Sequence, residues 1–271
     1  MPALALAFAL AAAGFHALWN LLLARAPDVE AATVVALVTA EVVFAPVAIV
    51  TWHADSGVWP WLAGSGAFEL AYFALLAAAY RRAPLSVVYP VARGGAPVLV
   101  LIISVTALGY HPSGRQIAAV ALVVAGIFLV RGLAHPDARG LVYGVAIACC
   151  IAAYTLIDKH GIAHARPLTY LELSMLLPTA AYGGLILRAK GAAAVRAAVG
   201  PATFVAGVAT FVAYAFVLAA LSRAPAASVA AVRETSVVIA AALAALVLHE
   251  RVTRWRFLGA CAVVGGVALL S

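Results

Sequence analysis

The chain has 271 residues, 66% of them hydrophobic and 10% charged, with a net charge of +7 and a mean hydropathy of +1.10. A water-soluble domain carries roughly 25% charged residues to build a polar skin, so a soluble fold is excluded. A hydrocarbon core of about 30 Å takes about 20 helical residues, and ten such spans with short polar breaks account for the length of a polytopic all-α membrane protein.

Span 1 is predicted over 3–24, and no Lys or Arg precedes Arg25. A cleaved signal peptide needs a positive leading region, so this segment is expected to stay as a span. Spans 2 to 5 follow over 31–52, 58–80, 84–108 and 115–131, and spans 6 to 10 over 140–160, 167–189, 201–221, 225–248 and 255–271. The breaks hold turn and charge signals, among them Arg25-Ala-Pro-Asp, His53-Ala-Asp-Ser-Gly, Arg81-Arg-Ala-Pro and Ser222-Arg-Ala-Pro. Cys149, Cys150 and Cys261 sit in apolar runs without metal-ligand spacing and read as small buried hydrophobes. No cofactor is implied.

The chain repeats itself. Arg82-Ala83-Pro84 returns as Arg223-Ala224-Pro225, a shift of 141; the run from Val124 returns from Val264, a shift of 140; Trp19-Asn20 and Tyr154-Thr155 hold like places, a shift of 135. The expected units are 1–136 and 137–271, five spans each. Because five is odd, the second copy enters the bilayer upside down, and such inverted repeats place a substrate site near the midplane.

Several motifs together carry a resemblance. Ala17-Leu-Trp19-Asn20, Arg82-Ala-Pro84 and Tyr89-Pro-Val-Ala-Arg93-Gly94 stand in the first half; Tyr154-Thr155 with Asp158-Lys159, Arg233-Glu-Thr-Ser236 and the hairpin Glu250-Arg-Val-Thr253 stand in the second. Over nearly its whole length the chain resembles the drug/metabolite transporter superfamily, with two EamA-type repeats. The resemblance implies a ten-helix transporter, and cytoplasmic termini as described for many members. Two departures are Gly109-Tyr110 where the family often has Gly-Glu, and a span 9 without the mid-helix proline that span 4 has at Pro90 and Pro97. A span 9 less bent than is usual in the family would disturb the symmetry of any gating motion.

Glu41, Glu69, Arg93, Arg233 and Glu234 lie well inside spans. A charge at the centre of a lipid-facing helix costs about 2.5–3.5 kcal/mol on insertion scales, so each must face the bundle interior, pair, protonate or line a wet cavity. Asp158 and Glu172 are nearer span ends and read as snorkelling. Helical spacing puts Glu69, Tyr72, Phe73 and Leu76 on one face of span 3, and Ser86, Tyr89, Arg93 and Pro97 on one face of span 4. His16, Trp19 and Asn20 share a face of span 1, and Tyr154 and Asp158 one of span 6.

Trp19, Asn20, Glu69, Tyr72, Tyr89, Arg93, Tyr154, Arg233 and Glu234 are the candidate substrate-binding residues, with Glu69 and Glu234 as proton-coupling candidates. Arg93 would hold a substrate carboxylate or phosphate, or keep a nearby Glu ionised. Pro90, Gly94, Gly95 and Pro97 break span 4, and the freed carbonyls belong beside a cavity.

Eleven basic residues collect at one set of breaks and four at the other. The positive-inside rule assigns the eleven to the cytoplasm and both termini to the outside, against the family expectation. The Ala- and Arg-rich composition fits a bacterial protein of the inner membrane. No nucleotide-binding Gly-x-x-x-x-Gly-Lys loop is present. The function expected is a secondary transporter of a small metabolite such as an amino acid or organic cation, exporting or exchanging for protons. The alternative is a flippase for a lipid-linked head group. An intramembrane enzyme is disfavoured, since His249-Glu250 lacks the second His of a zinc helix. The expected partners are the small-molecule substrate and membrane lipids, with no nucleic acid, and the protein is expected as a monomer or homodimer.

Overall fold

A computed structural model describes residues 1–83, 85–131, 137–248 and 253–270. The motif residues Pro84 and Glu250–Val252, and the break 132–136, lie outside the described residues. Helices α1 (Ala3–Ala24), α2 (Val29–Val50), α3 (Trp59–Arg82), α4 (Leu85–Thr106) and α5 (Gly114–Arg131) form the first half. The second holds α6 (Ala138–Gly161), α7 (Pro167–Ala197), α8 (Pro201–Leu221), α9 (Ala226–Arg233), α10 (Thr235–Leu248) and α11 (Arg254–Leu270). Eight apolar segments are long enough to cross a bilayer, one of them running through α9 into α10, and α5 is a shorter apolar helix. The protein is a ten-span polytopic membrane protein of two inverted five-helix repeats.

Local chemistry starts and stops the helices as the breaks foretold. The Asp28 carboxylate accepts from the Ala31 amide at 3.1 Å to cap α2, and Asp137 accepts from the Gly140 amide at 2.6 Å to cap α6. Pro167 and Pro201 open α7 and α8 at the position where a missing N–H costs nothing. Inside α7, Gly191 has φ +80° and kinks the helix there.

Span 9 is interrupted although it lacks a mid-helix proline. It is the more sharply interrupted of the pair: α9 ends at Arg233, Glu234 is a turn residue, and α10 restarts at Thr235. No proline is involved. The amide of Glu234 donates to the Ala231 carbonyl, and that of Val237 to the Glu234 carbonyl, three-residue steps that tighten the helix at the ionised pair.

The packing shows the pseudo-twofold. With the halves exchanged, the α1–α8 contact maps onto α6–α3, and α4–α6 onto the contacts of α9 and α10 with α1. The α2–α7 and α5–α11 contacts map onto themselves. Most interfaces thus join one repeat to the other, and the centre between α1, α3, α4, α6, α8 and α9 is shared by both.

Apolar burial contributes little between helices in lipid, so close approach through small residues matters. A Cβ added at Gly259 would sit 2.6 Å from the Val130 amide nitrogen and 2.7 Å from the Gly126 carbonyl oxygen. One added at Gly144 would meet Val91 Cβ at 2.7 Å, so the Gly140-x-x-x-Gly144 spacing is the seam between α6 and α4. Only Cys150 is buried among the three cysteines; Cys149 and Cys261 are exposed on the helix surface. The expectation of three interior thiols fails for those two because Cys149 is one position, about 100°, from its buried neighbour.

The Met1 ammonium donates to the Leu270 carbonyl, which places both termini on one face, as an even number of spans requires.

Candidate functional site: a cavity between the repeats

A cavity of about 860 Å³ runs into the bundle between the repeats, within the range of roughly 300–1,000 Å³ typical of ligand pockets. Its wall takes His16, Trp19 and Asn20 from α1, and Glu69, Tyr72, Phe73 and Leu76 from α3. Tyr89 and Arg93 come from α4, Tyr154 from α6, Tyr214 from α8 and Arg233 from α9. The helical faces drawn for spans 1 and 3 line it whole; Tyr89 and Arg93 of the span 4 face and Tyr154 of the span 6 face line it too. Of the nine candidate residues, eight line the cavity. Glu234 does not; it lies behind Arg93.

The charged groups have distinct situations. Arg93 Nε lies 2.9 Å from Glu234 Oε2, with side chains 9% and 1% exposed, and Arg93 Nη2 donates to Ser236 Oγ at 3.1 Å. Arg93 is thus ion-paired with Glu234 and hydrogen-bonded to Ser236 at the turn between α9 and α10. Arg233 is 4% exposed, its nearest carboxylate oxygen is Glu234 Oε1 at 4.0 Å, and its Nε and Nη2 have no hydrogen-bond acceptor. Glu234 therefore pairs closely with Arg93 alone, and Arg233 is left at the cavity wall without a hydrogen-bonded carboxylate. Glu69 is likewise buried, and its Oε2 has no donor.

Leaving a buried charge unpaired is costly, and both unpaired groups open onto the cavity. An anionic group could occupy Arg233 and a cationic one Glu69.

Between these groups runs a row of rings. Tyr182 packs on Phe73 at 5.5 Å between centroids, Phe73 on Tyr72 at 5.2 Å, Tyr72 on Tyr154 at 6.3 Å and Tyr154 on Tyr214 at 6.1 Å. All five line the cavity. Ring faces attract cations and apolar bodies alike. On α1, Trp19 Nε1 donates to His16 Nδ1 at 3.3 Å and Asn20 Nδ2 to the His16 carbonyl at 2.7 Å, which holds that wall in a single arrangement.

Among the described residues, the cavity lining reaches the face where α1 ends and α2 begins. Its mouth is ringed by Pro27, Asp28, Glu30 and Lys190, with Lys190 Nζ 2.7 Å from both Asp28 Oδ1 and Glu30 Oε2. Lys190, followed by the Ala31 amide, holds the Asp28 carboxyl below its ordinary value.

At the other end the loops 51–58 and 162–166 close over it. The Asp55 amide donates to the His164 carbonyl at 2.9 Å, and that of Arg166 to the His53 carbonyl at 3.0 Å. Asp55 Oδ1 lies 3.1 Å from His164 Nδ1, and Trp61 stacks on His160 at 5.3 Å.

Asp158 corrects the sequence reading. It is fully buried, not snorkelling. Tyr170 donates to Oδ1 at 2.9 Å and Tyr214 to Oδ2. The argument from span ends measures distance along one helix, whereas the loops at 51–58 and 162–166 pack over this one. Glu172 is also buried, beside Glu41 of α2, to which Thr179 donates at 3.3 Å.

Tyr214 and Tyr182 went unselected in the sequence. The only signal was spacing: Thr210, Phe211, Tyr214 and Val217 share a face of α8, and all four line the cavity.

Two mirrored helical halves around a cavity with ionised walls define a membrane transporter architecture. The chain belongs to the EamA-like transporter family, whose model matches it twice, over residues 3–132 and 138–271. No curated protein matches the sequence. Among solved structures, a crystal structure entitled only as that of a protein superposes with a TM-score of 0.77 at 16% identity, over 98% of this chain and 94% of its own. That likeness establishes the fold.

Proposed function

We propose that this protein is a secondary active transporter of a small dipolar metabolite, an amino acid or an organic cation with an anionic group, working by alternating access. The observation that carries the reading is that Arg233 Nε and Nη2 and Glu69 Oε2, from opposite repeats, are buried without hydrogen-bond partners in residues that line one cavity. In this reading Arg233 takes the anionic end, Glu69 takes the cationic end or a proton, and Trp19, Asn20, Tyr72, Tyr89 and Tyr154 hold the body between them. Arg93 and Glu234 form the neutral strut that positions Arg233, which is the second of the two roles foreseen for Arg93.

The mouth lies at the breaks that hold Arg25 and Lys190, on the side to which the sequence count assigns eleven basic residues. Under the positive-inside rule that face is cytoplasmic and the termini are outside, in the inner membrane of a bacterium. The cavity then faces inward, as suits an exporter or a proton-coupled exchanger loading its solute from the cytoplasm. Rocking of residues 137–271 against 1–136 would carry the solute across.

The test is gradient-driven uptake in proteoliposomes. Glu69→Gln is expected to abolish it; unchanged uptake removes Glu69 from the mechanism.

A further inference from the structure

The closed end of the cavity has two layers, and the inner one is organised by a side chain to which the transport reading assigns no role. The outer layer consists of the paired loops, with Asp55 on His164 and Trp61 on His160. Lys159 lies beside Asp158 on α6, and its ammonium donates to the Leu221 and Ala224 carbonyls at the end of α8.

Beneath this layer, Asp158 ties three second-repeat helices together, taking one tyrosine hydroxyl from α7 and one from α8. The Tyr170 hydroxyl also lies 3.4 Å from the Trp61 carbonyl of α3, which brings the first repeat into the knot. Only one of the two tyrosines belongs to the cavity: Tyr214 lines it and packs edge-on to Tyr154, whereas Tyr170 is wholly buried behind it. The wall that a solute touches and the seal that must part to release it are therefore joined at one carboxylate.

We propose that Asp158 is the positioning residue that couples the cavity to its closed end. As a carboxylate it holds Tyr214 and Tyr170 by charge-assisted hydrogen bonds, which are roughly twice as strong as neutral ones. Protonated, it accepts more weakly, and the closed end loosens. The assignment rests on the transport reading for its purpose, but not for its geometry.

The groups facing Asp158 are Glu69 and Ser65 from α3, Tyr170 from α7, Tyr214 from α8 and Arg233 from α9. Tyr154 stands one turn back on α6 itself, and Arg93 of α4 lies beyond it, held by Glu234. Glu69 is the neighbour of like charge. A cation bound at Glu69 relieves the repulsion between the two carboxylates and strengthens the knot; an empty, acidified cavity weakens it.

The test uses a thiol at Met175→Cys, a cavity-lining position of α7, in a background where Cys149, Cys150 and Cys261 are alanine. An impermeant maleimide is applied to membrane vesicles of both orientations. The readout is the labelling rate from the sealed face divided by that from the mouth, which cancels the thiol's own titration.

In the otherwise unaltered protein this ratio is expected to be low at neutral pH and to rise in acid. Asp158→Asn is expected to raise it about tenfold or more at neutral pH, the scale of losing hydrogen bonds to a charged group, and to make it independent of pH. Tyr214→Phe removes one hydroxyl and keeps the ring, so it serves where the asparagine variant does not fold, and it is expected to raise the ratio as well.

A ratio unchanged in Tyr214→Phe overturns the proposal. So does a pH dependence that survives in Asp158→Asn, because it would then belong to groups other than Asp158. No solute is needed. A seal that responds as described, in a protein whose cavity binds no solute, would refute the transport reading alone; solute binding with an unresponsive seal would refute this one alone.

Discussion

Removing Glu234 is expected to damage the fold more than removing Arg93, although the two form one ion pair. Glu234 is the only carboxylate near two guanidiniums, Arg93 at 2.9 Å and Arg233 at 4.0 Å. Glu234→Met takes the nearest carboxylate from both arginines, and breaking one buried pair already costs about 3–5 kcal/mol. Arg93→Met leaves Glu234 with Arg233 close enough to shift onto it, so the expected loss is smaller, about 1–3 kcal/mol, the range for leaving one buried polar group unsatisfied. The double variant is expected to be no worse than Glu234→Met alone, a coupling that marks the residues as one unit. Thermal stability of the purified variants, followed by size-exclusion monodispersity after heating, orders the three. Arg93→Met as harmful as Glu234→Met, or two near-neutral single variants, would refute the arrangement of charges described here.

Four further outcomes follow from the same geometry. Arg233→Gln is expected to leave thermal stability near or above that of the unaltered protein, because its Nε and Nη2 have no acceptor to lose, while uptake falls by more than tenfold; a large stability loss with retained uptake would make Arg233 structural. Gly259→Ala is expected to destabilise by roughly 1–3 kcal/mol, since the added methyl group meets the backbone of α5 at 2.6–2.7 Å and a backbone cannot rotate away; an unchanged melting temperature would contradict that packing. Lys190→Met is expected to return the Asp28 carboxyl toward its ordinary value of 3.8, read by carbon NMR. A carboxyl held low stabilises above its ordinary value and loses that contribution only as the pH falls through the lower one, so the mouth bridge is expected to be constant near neutrality and to weaken only in acid. The bridge is part-exposed, so removing it is expected to cost no more than about 1 kcal/mol and to raise labelling of a cavity thiol from the mouth a few-fold; labelling that falls would show that Lys190 props the mouth open.

The fold was legible because bilayer crossing is written in local composition: apolar runs of about 20 residues, with charge and proline between them, and a 140-residue internal echo. The walls of spans 1 and 3 were legible too, since His16, Trp19 and Asn20, or Glu69, Tyr72 and Phe73, recur at helical spacing whatever they face. What spacing cannot supply is the partner. Arg93 and Glu234 are 141 positions apart, and nothing in either segment says that they meet or that Arg233 is left over. Asp158 was misread because burial at a span end depends on what folds over it, and loops 51–58 and 162–166 do so only in three dimensions. The break at Glu234 was invisible to a search for proline, because there the interruption comes with three-residue hydrogen bonds at an ion pair.

The central claim is that Arg233 and Glu69, unpaired on a shared cavity wall, are the two ends of a solute site. Thermal shift across amino acids, amines, nucleosides and sugar phosphates tests it most directly, because a ligand at one hundred times its dissociation constant stabilises by about 2.7 kcal/mol. The account predicts that at least one solute bearing both charges raises the melting temperature of the unaltered protein, and that Arg233→Gln and Glu69→Gln each abolish the rise. A solute that stabilises all three proteins equally would contradict it.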